Sequence, residues 1–145
     1  MKKIIYGLMA ATLCLMMTSC GTPASKIQSI ADDIDKNGNE WTDADQWESV
    51  IEDVITTTCE FMESDFTEEE ILDFAEALTN LGEAVKGIDD KKAKKAMEKA
   101  GKAINKKKDL SKRMEKAMKK ADKRGKEIDL DEEEILEAFS GLYNL

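Results

Sequence analysis

Apolar residues recur along this chain with a helical period, in separate stripes. Ile27, Ile30, Ala31 and Ile34 fall at i, i+3, i+4 and i+7, one face of a helix that opens at Ser25 or Ser29. Asn37-Gly38 tolerates the left-handed conformation that ends helices and closes this first one. A second stripe holds Trp47, Val50, Ile51, Val54, Ile55, Thr58, Phe61 and Met62. It covers about 140° of a helix starting at Thr42 or Asp43, wide enough to face a core. The third helix has Thr67 as N-cap and Glu70 three positions on, a capping box, with Phe66 and Ile71 spaced as a hydrophobic staple. Its stripe is Ile71, Phe74, Ala75, Leu78, Leu81, Gly82 and Val85, and Gly87 ends it.

Residues 89–125 carry a different pattern. Ala93, Ala96, Ala100, Ala103, Leu110, Met114, Ala117 and Ala121 keep a heptad seam, with Met97, Ile104 and Met118 beside it. Lys107 interrupts that seam, and Asp109 is placed to cap a new helix there. Two forms fit: one nearly continuous helix of about 54 Å at 1.5 Å per residue, or a break within 105–109. The continuous form is preferred. The last helix opens on Asp131 as cap, Glu134 at N3 and a Leu130–Ile135 staple, with Ile135, Leu136, Phe139, Leu142 and Tyr143 on its apolar face. Residues 65–78 and 129–142 agree at 7 of 14 positions, which reads as reuse of one good helix start rather than a duplicated hairpin. No run alternates β-branched and polar residues. The pattern predicts an all-α fold of four to five amphipathic helices, a bundle or hairpin with one long basic Ala/Met-rich helix.

Charge is divided by segment. Residues 21–88 hold 3 lysines against 18 acids, residues 89–128 hold 17 Lys and Arg against 7 acids, and residues 129–145 hold 6 acids and no base. One reading lays the basic segment against the acidic helices and neutralises both. The other makes it a footprint for an anionic lipid, envelope polymer or nucleic acid. Residues 89–128 contain no aromatic to stack a base, which argues against nucleic acid. Intramolecular pairing is preferred over an anionic partner.

The first 20 residues change the picture most. Lys2 and Lys3 precede an uncharged apolar run from Ile4 to Met17, too short for an ordinary spanning helix. Met17-Thr18-Ser19-Cys20 then resembles the lipobox of bacterial lipoproteins, in which Leu is more usual at the place of Met17. The resemblance covers these residues only. It implies cleavage before Cys20 by the type II signal peptidase, acylation of Cys20 and a stable membrane anchor, since two or more acyl chains hold where one does not. It divides the chain into a signal peptide 1–19, a lipidated cysteine and tether 20–24, and one helical domain 25–145. The domain looks, loosely, like the small helical lipoproteins of Gram-negative bacteria. In them an Asp after the cysteine retains the protein at the inner membrane. Gly21 stands there, so the resemblance implies the outer membrane, facing the periplasm.

Candidate chemistry is sparse. Of the three cysteines, Cys14 goes with the signal and Cys20 is alkylated, which leaves Cys59 alone and no internal disulfide. Cys59 sits at the border of its stripe, a packed and partly covered thiol, and no histidine exists to activate it. Asp33, Asp35, Asn37 and Gly38 match the start of a calcium loop, but Ala44 stands where the closing Glu belongs. Only a one-residue insertion brings Asp45 into that place. Calcium through Asp33, Asp35, Asn37 and Asp45, a loop over 33–45, is therefore the lesser alternative to a helix–turn–helix joint. The Glu triplets at 68–70 and 132–134 are accounted for by helix N-termini, which favour acids. The expectation is a non-catalytic, cofactor-free, lipid-anchored envelope module that binds a protein or anionic partner and no nucleic acid.

Overall fold

The computed structural model describes residues 21–130 and 132–140, and no strand occurs among them. Six helices follow in order: α1 Pro23–Asn37, α2 Ala44–Met62, α3 Glu68–Lys86, α4 Lys91–Ile104, α5 Lys108–Glu127 and α6 Glu132–Ala138, with a 3-10 turn Gly38–Glu40 after α1. The lipobox residues Met17–Cys20, the cap Asp131 and the apolar Leu142 and Tyr143 lie outside the described residues.

Helix starts follow local chemistry. Thr22, not Ser25 or Ser29, caps α1, accepting from the Ser25 N–H with Pro23 at the first helical position. Proline suits that place because its missing N–H would have no helical partner. Asp43 caps α2 and Asp90 caps α4. The Thr67–Glu70 capping box of α3 forms in full: the Glu70 N–H donates to Thr67 Oγ1 at 3.2 Å, and the Thr67 N–H donates to the Glu70 carboxylate at 2.8 Å. Phe66 and Ile71, the staple pair, are both buried.

The core has two aromatic ends joined by aliphatic side chains. Trp41 and Trp47 meet edge-on with centroids 5.1 Å apart, and Trp47 Nε1 donates to the Trp41 carbonyl at 2.7 Å. At the other end Phe61 stacks on Phe66 and Phe74, and Phe139, just past α6, packs on Phe61 and Phe74 at 6.2 and 6.0 Å. Such pairs prefer stacked or edge-on contacts and add to area burial. α1 lies along α3 in the same direction, while α4 and α5 both pack on α2.

Three expectations need correction. Residues 89–125 are two helices, not one: α4 ends at Ile104 and α5 begins at Lys108. The break follows from Lys107, whose ammonium turns to Glu48 and Glu52 on α2 instead of sitting in an apolar seam. Asp109 is in the first turn of α5 but does not cap it; Lys107 holds the cap position, and its side chain makes no capping bond. Second, Gly38 is right-handed, with φ −58°. Its lack of a side chain serves packing: a Cβ there would overlap the Ile88 side chain. Beside it Asn39 Oδ1 accepts the Asp89 and Asp90 N–H groups at 2.9 and 3.0 Å, so the 38–40 turn and the α3–α4 loop hold each other. Third, Leu136 is 47 % exposed and not part of the α6 packing face. Ile135 and Phe139 fix the helix instead, Ile135 against Gly125, where a Cβ would overlap it.

Candidate functional site: the basic face and the groove at its joint

α4 and α5 pack through small residues. Ala93, Ala96, Ala100, Ala117 and Ala121 are buried, as the heptad seam predicts. Alanine permits close approach but buries little area, so these helices attach through a narrow strip. Their lysines face outward: of the fifteen between 91 and 126, fourteen are exposed, and only Lys107 is partly covered.

Internal neutralisation of the basic segment is slight. Lys107 Nζ meets Glu48 at 2.8 Å and Glu52 at 2.9 Å, and Arg113 meets Glu63 at 3.5 Å. Hydrogen bonds to Glu48 and then Glu52 push the Lys107 ammonium above its ordinary value. Arg124 reaches backbone carbonyls, Phe66 at 2.9 Å and Asp65 at 3.4 Å, and Glu127 in its own helix. Lys119–Glu115 and Lys126–Asp122 are pairs along α5. The Glu48–Lys107–Glu52 cluster was not named from the sequence. Its signal was a lysine on an apolar seam, and two glutamates four apart on α2.

At the α4–α5 joint lies a groove of about 690 Å³. Ile55, Ile104, Leu110, Met114 and Met118 form its floor, and Asn105, Ser111, Glu115, Lys119 and Asp122 its rim. The volume falls in the range of small-molecule and peptide clefts. Two methionines give it a floor that adapts to different shapes. Asp122 Oδ2 takes the Lys126 ammonium, while its Oδ1 is enclosed with no donor. Leu110, Met114 and Met118 belong to the predicted seam, but the break at 105–107 leaves them half-buried.

The other sequence candidates are dispersed. Asp33, Asp35 and Asn37 lie in the last turns of α1 rather than in a loop. Asp33 Oδ1 accepts from Asn37 Nδ2 at 2.6 Å, and Asp35 is exposed two residues away, on another face. Asp45 is in the first turn of α2, where its N–H donates to the Asp43 cap. Cys59 is deeper than its border position predicts, 0 % exposed, with its thiol 3.9 Å from Met114 Sδ. Burial pushes the Cys59 thiol up, against the opposing pull of Arg113. Asp53 is likewise pushed up, by burial and then by Glu52 beside it. No helix among the described residues is long and apolar enough to cross a membrane. The chain matches no protein-family model, no curated protein and no solved structure.

Proposed function

We propose that this protein is a lipid-anchored helical module of the bacterial envelope that acts by binding, without catalysis or a cofactor. The observation that carries the binding role is the outward basic face. Alanines hold α4 and α5 to the body, so fourteen exposed lysines are not needed for that attachment. Charge of one sign on an open surface attracts anionic partners over roughly a Debye length, about 8 Å at physiological salt. The anchor rests on Met17-Thr18-Ser19-Cys20, and Gly21 favours the outer membrane, periplasmic side. A diacylated Cys20 would hold the basic face near a surface rich in anionic groups, where weak contacts add.

Two measurements test this. Cys20→Ala should abolish lipid labelling and stop maturation at the signal; unchanged membrane fractionation and processing would remove the anchor from the account. Residues 21–145, without the anchor, should show stronger flotation with vesicles holding anionic lipid than with neutral ones, with the excess lost in high salt. Equal flotation with both at low salt would remove the anionic partner.

A further inference from the structure

The groove and one face of α3 are both left uncovered among the described residues. Leu72 is 64 % exposed, the most open large apolar side chain among the described residues. Glu68, Glu69 and Glu76 neighbour it at −4, −3 and +4 on the helix surface, all exposed. The feature is an apolar knob flanked by three carboxylates. Leu136 on α6 repeats it in a smaller form, between exposed Glu133 and Glu137.

The groove presents the reverse. Its floor is apolar, and the solvent side of α5 along it carries Lys108, Lys112, Lys119 and Lys126, spaced by four and seven residues. Glu115 pairs with Lys119 at 3.1 Å and Asp122 with Lys126 at 2.8 Å, which leaves Lys108 and Lys112 as the open charge on that side. Lys108 and Lys112 have no ion pair among the described residues. By helix, α5 holds nine Lys and Arg against four acids, net +5, and α3 six acids against one lysine, net −5.

We infer that the groove receives α3 of a second copy of this chain. Leu72 of one copy enters the floor at Met114 and Met118 of the next, and its flanking carboxylates face the lysines of α5. An apolar centre with a charged rim is the usual anatomy of a specific contact, and opposed charges fix its register. The contact is heterologous, because each copy donates a knob and receives one elsewhere, so copies add head to tail. An anionic lipid would account for the lysines but not for an exposed leucine flanked by acids on the same molecule. The inference does not depend on the anchor.

The test mixes equal amounts of the full chain in nitrogen-14 and nitrogen-15 forms, in detergent at low salt, and joins carboxylates to neighbouring lysines with a carbodiimide. Mass spectrometry should find light–heavy peptide pairs linking residues 68–76 with residues 108–119. Leu72→Lys, at an exposed position, should remove those pairs while helicity by circular dichroism stays unchanged. The isotope labels give each link a direction: links from α5 of a Lys112→Glu copy to α3 of the wild-type chain should be weak and return with a Glu69→Lys copy, while links from α3 of the Lys112→Glu copy to wild-type α5 persist. Pairs of a single isotope only, or mixed pairs that survive Leu72→Lys, would overturn the inference. So would protection of the α5 lysines only by anionic vesicles, or their crosslinking in cells only to other envelope proteins.

Discussion

The body formed by α1–α3 buries Ile27, Trp47, Phe61, Phe74, Leu78 and Leu81, whereas α4 and α5 bury chiefly alanines. Both parts are amphipathic helices and both complete one core. They differ in what holds them. Full burial of a large apolar side chain contributes roughly 1.5–3 kcal/mol, and alanine far less. The first part is secured by area. The second is secured by close fit, including Gly125, which admits Ile135 of α6; the Lys107 pairs are partly exposed and add little. The difference teaches that a strongly charged helix pair can be joined to a body with little use of its charge. Its lysines stay available to solvent and partners.

The largest expected effect lies in the first part. Phe74→Ala, at the centre of the phenylalanine cluster, should cost about 3–5 kcal/mol in denaturant unfolding. Ala121→Gly in the seam should cost only about 1 kcal/mol. Equal losses would erase the contrast between area and fit. Close fit is probed next by Gly125→Ala, whose added methyl overlaps Ile135. It should cost about 1–3 kcal/mol, and hydrogen exchange should show the loss in α6. Wild-type stability in that variant would mean α6 is not docked as described.

The tryptophan pair sharpens the account of the first part. Trp47 Nε1 donates to the Trp41 carbonyl, while Trp41 Nε1 is buried with no partner. Both Phe variants lose similar volume, but only Trp47→Phe strands a carbonyl. Its loss should exceed that of Trp41→Phe by about 1 kcal/mol; the reverse order would mean Trp41 Nε1 finds a partner. The smallest effect is at Asp53, whose carboxyl burial and Glu52 raise above 3.8. A raised acid binds its proton more tightly folded than unfolded, so its charged form lowers stability at neutral pH. Asp53→Asn should therefore raise Tm at pH 7. The gain should shrink as pH falls through the raised value and vanish below 3.8. A gain independent of pH would assign the effect to packing.

Much of this fold was legible in residue spacing. The Thr67–Glu70 box, most of the α2 and α3 stripes and five seam alanines depend on local periodicity and occur where they were expected, while Ala77 and Ala84 rather than Ala75 and Val85 are buried in α3. What escaped depends on contacts distant in sequence. Lys107 breaks the basic segment because Glu48 and Glu52 lie 59 and 55 residues earlier, and spacing along 89–125 carries no trace of them. Leu136 fits the α6 stripe as well as Ile135 does, and only the position of Gly125 selects between them. Asn37-Gly38 looked like a left-handed stop, yet the glycine answers to Ile88, fifty residues on. The candidate site was half legible. The lysines and the seam residues were visible in the chain, but the groove exists only because the seam breaks.

The central claim is that packing, not ion pairing, attaches the basic helices. Thermal unfolding of the full chain at low and at high salt tests it most directly, because salt screens exposed pairs and leaves apolar contacts in place. The account predicts that Tm does not fall as salt rises. A steep fall in Tm with salt would show that the lysines are spent on the acidic helices of their own chain, and would contradict it.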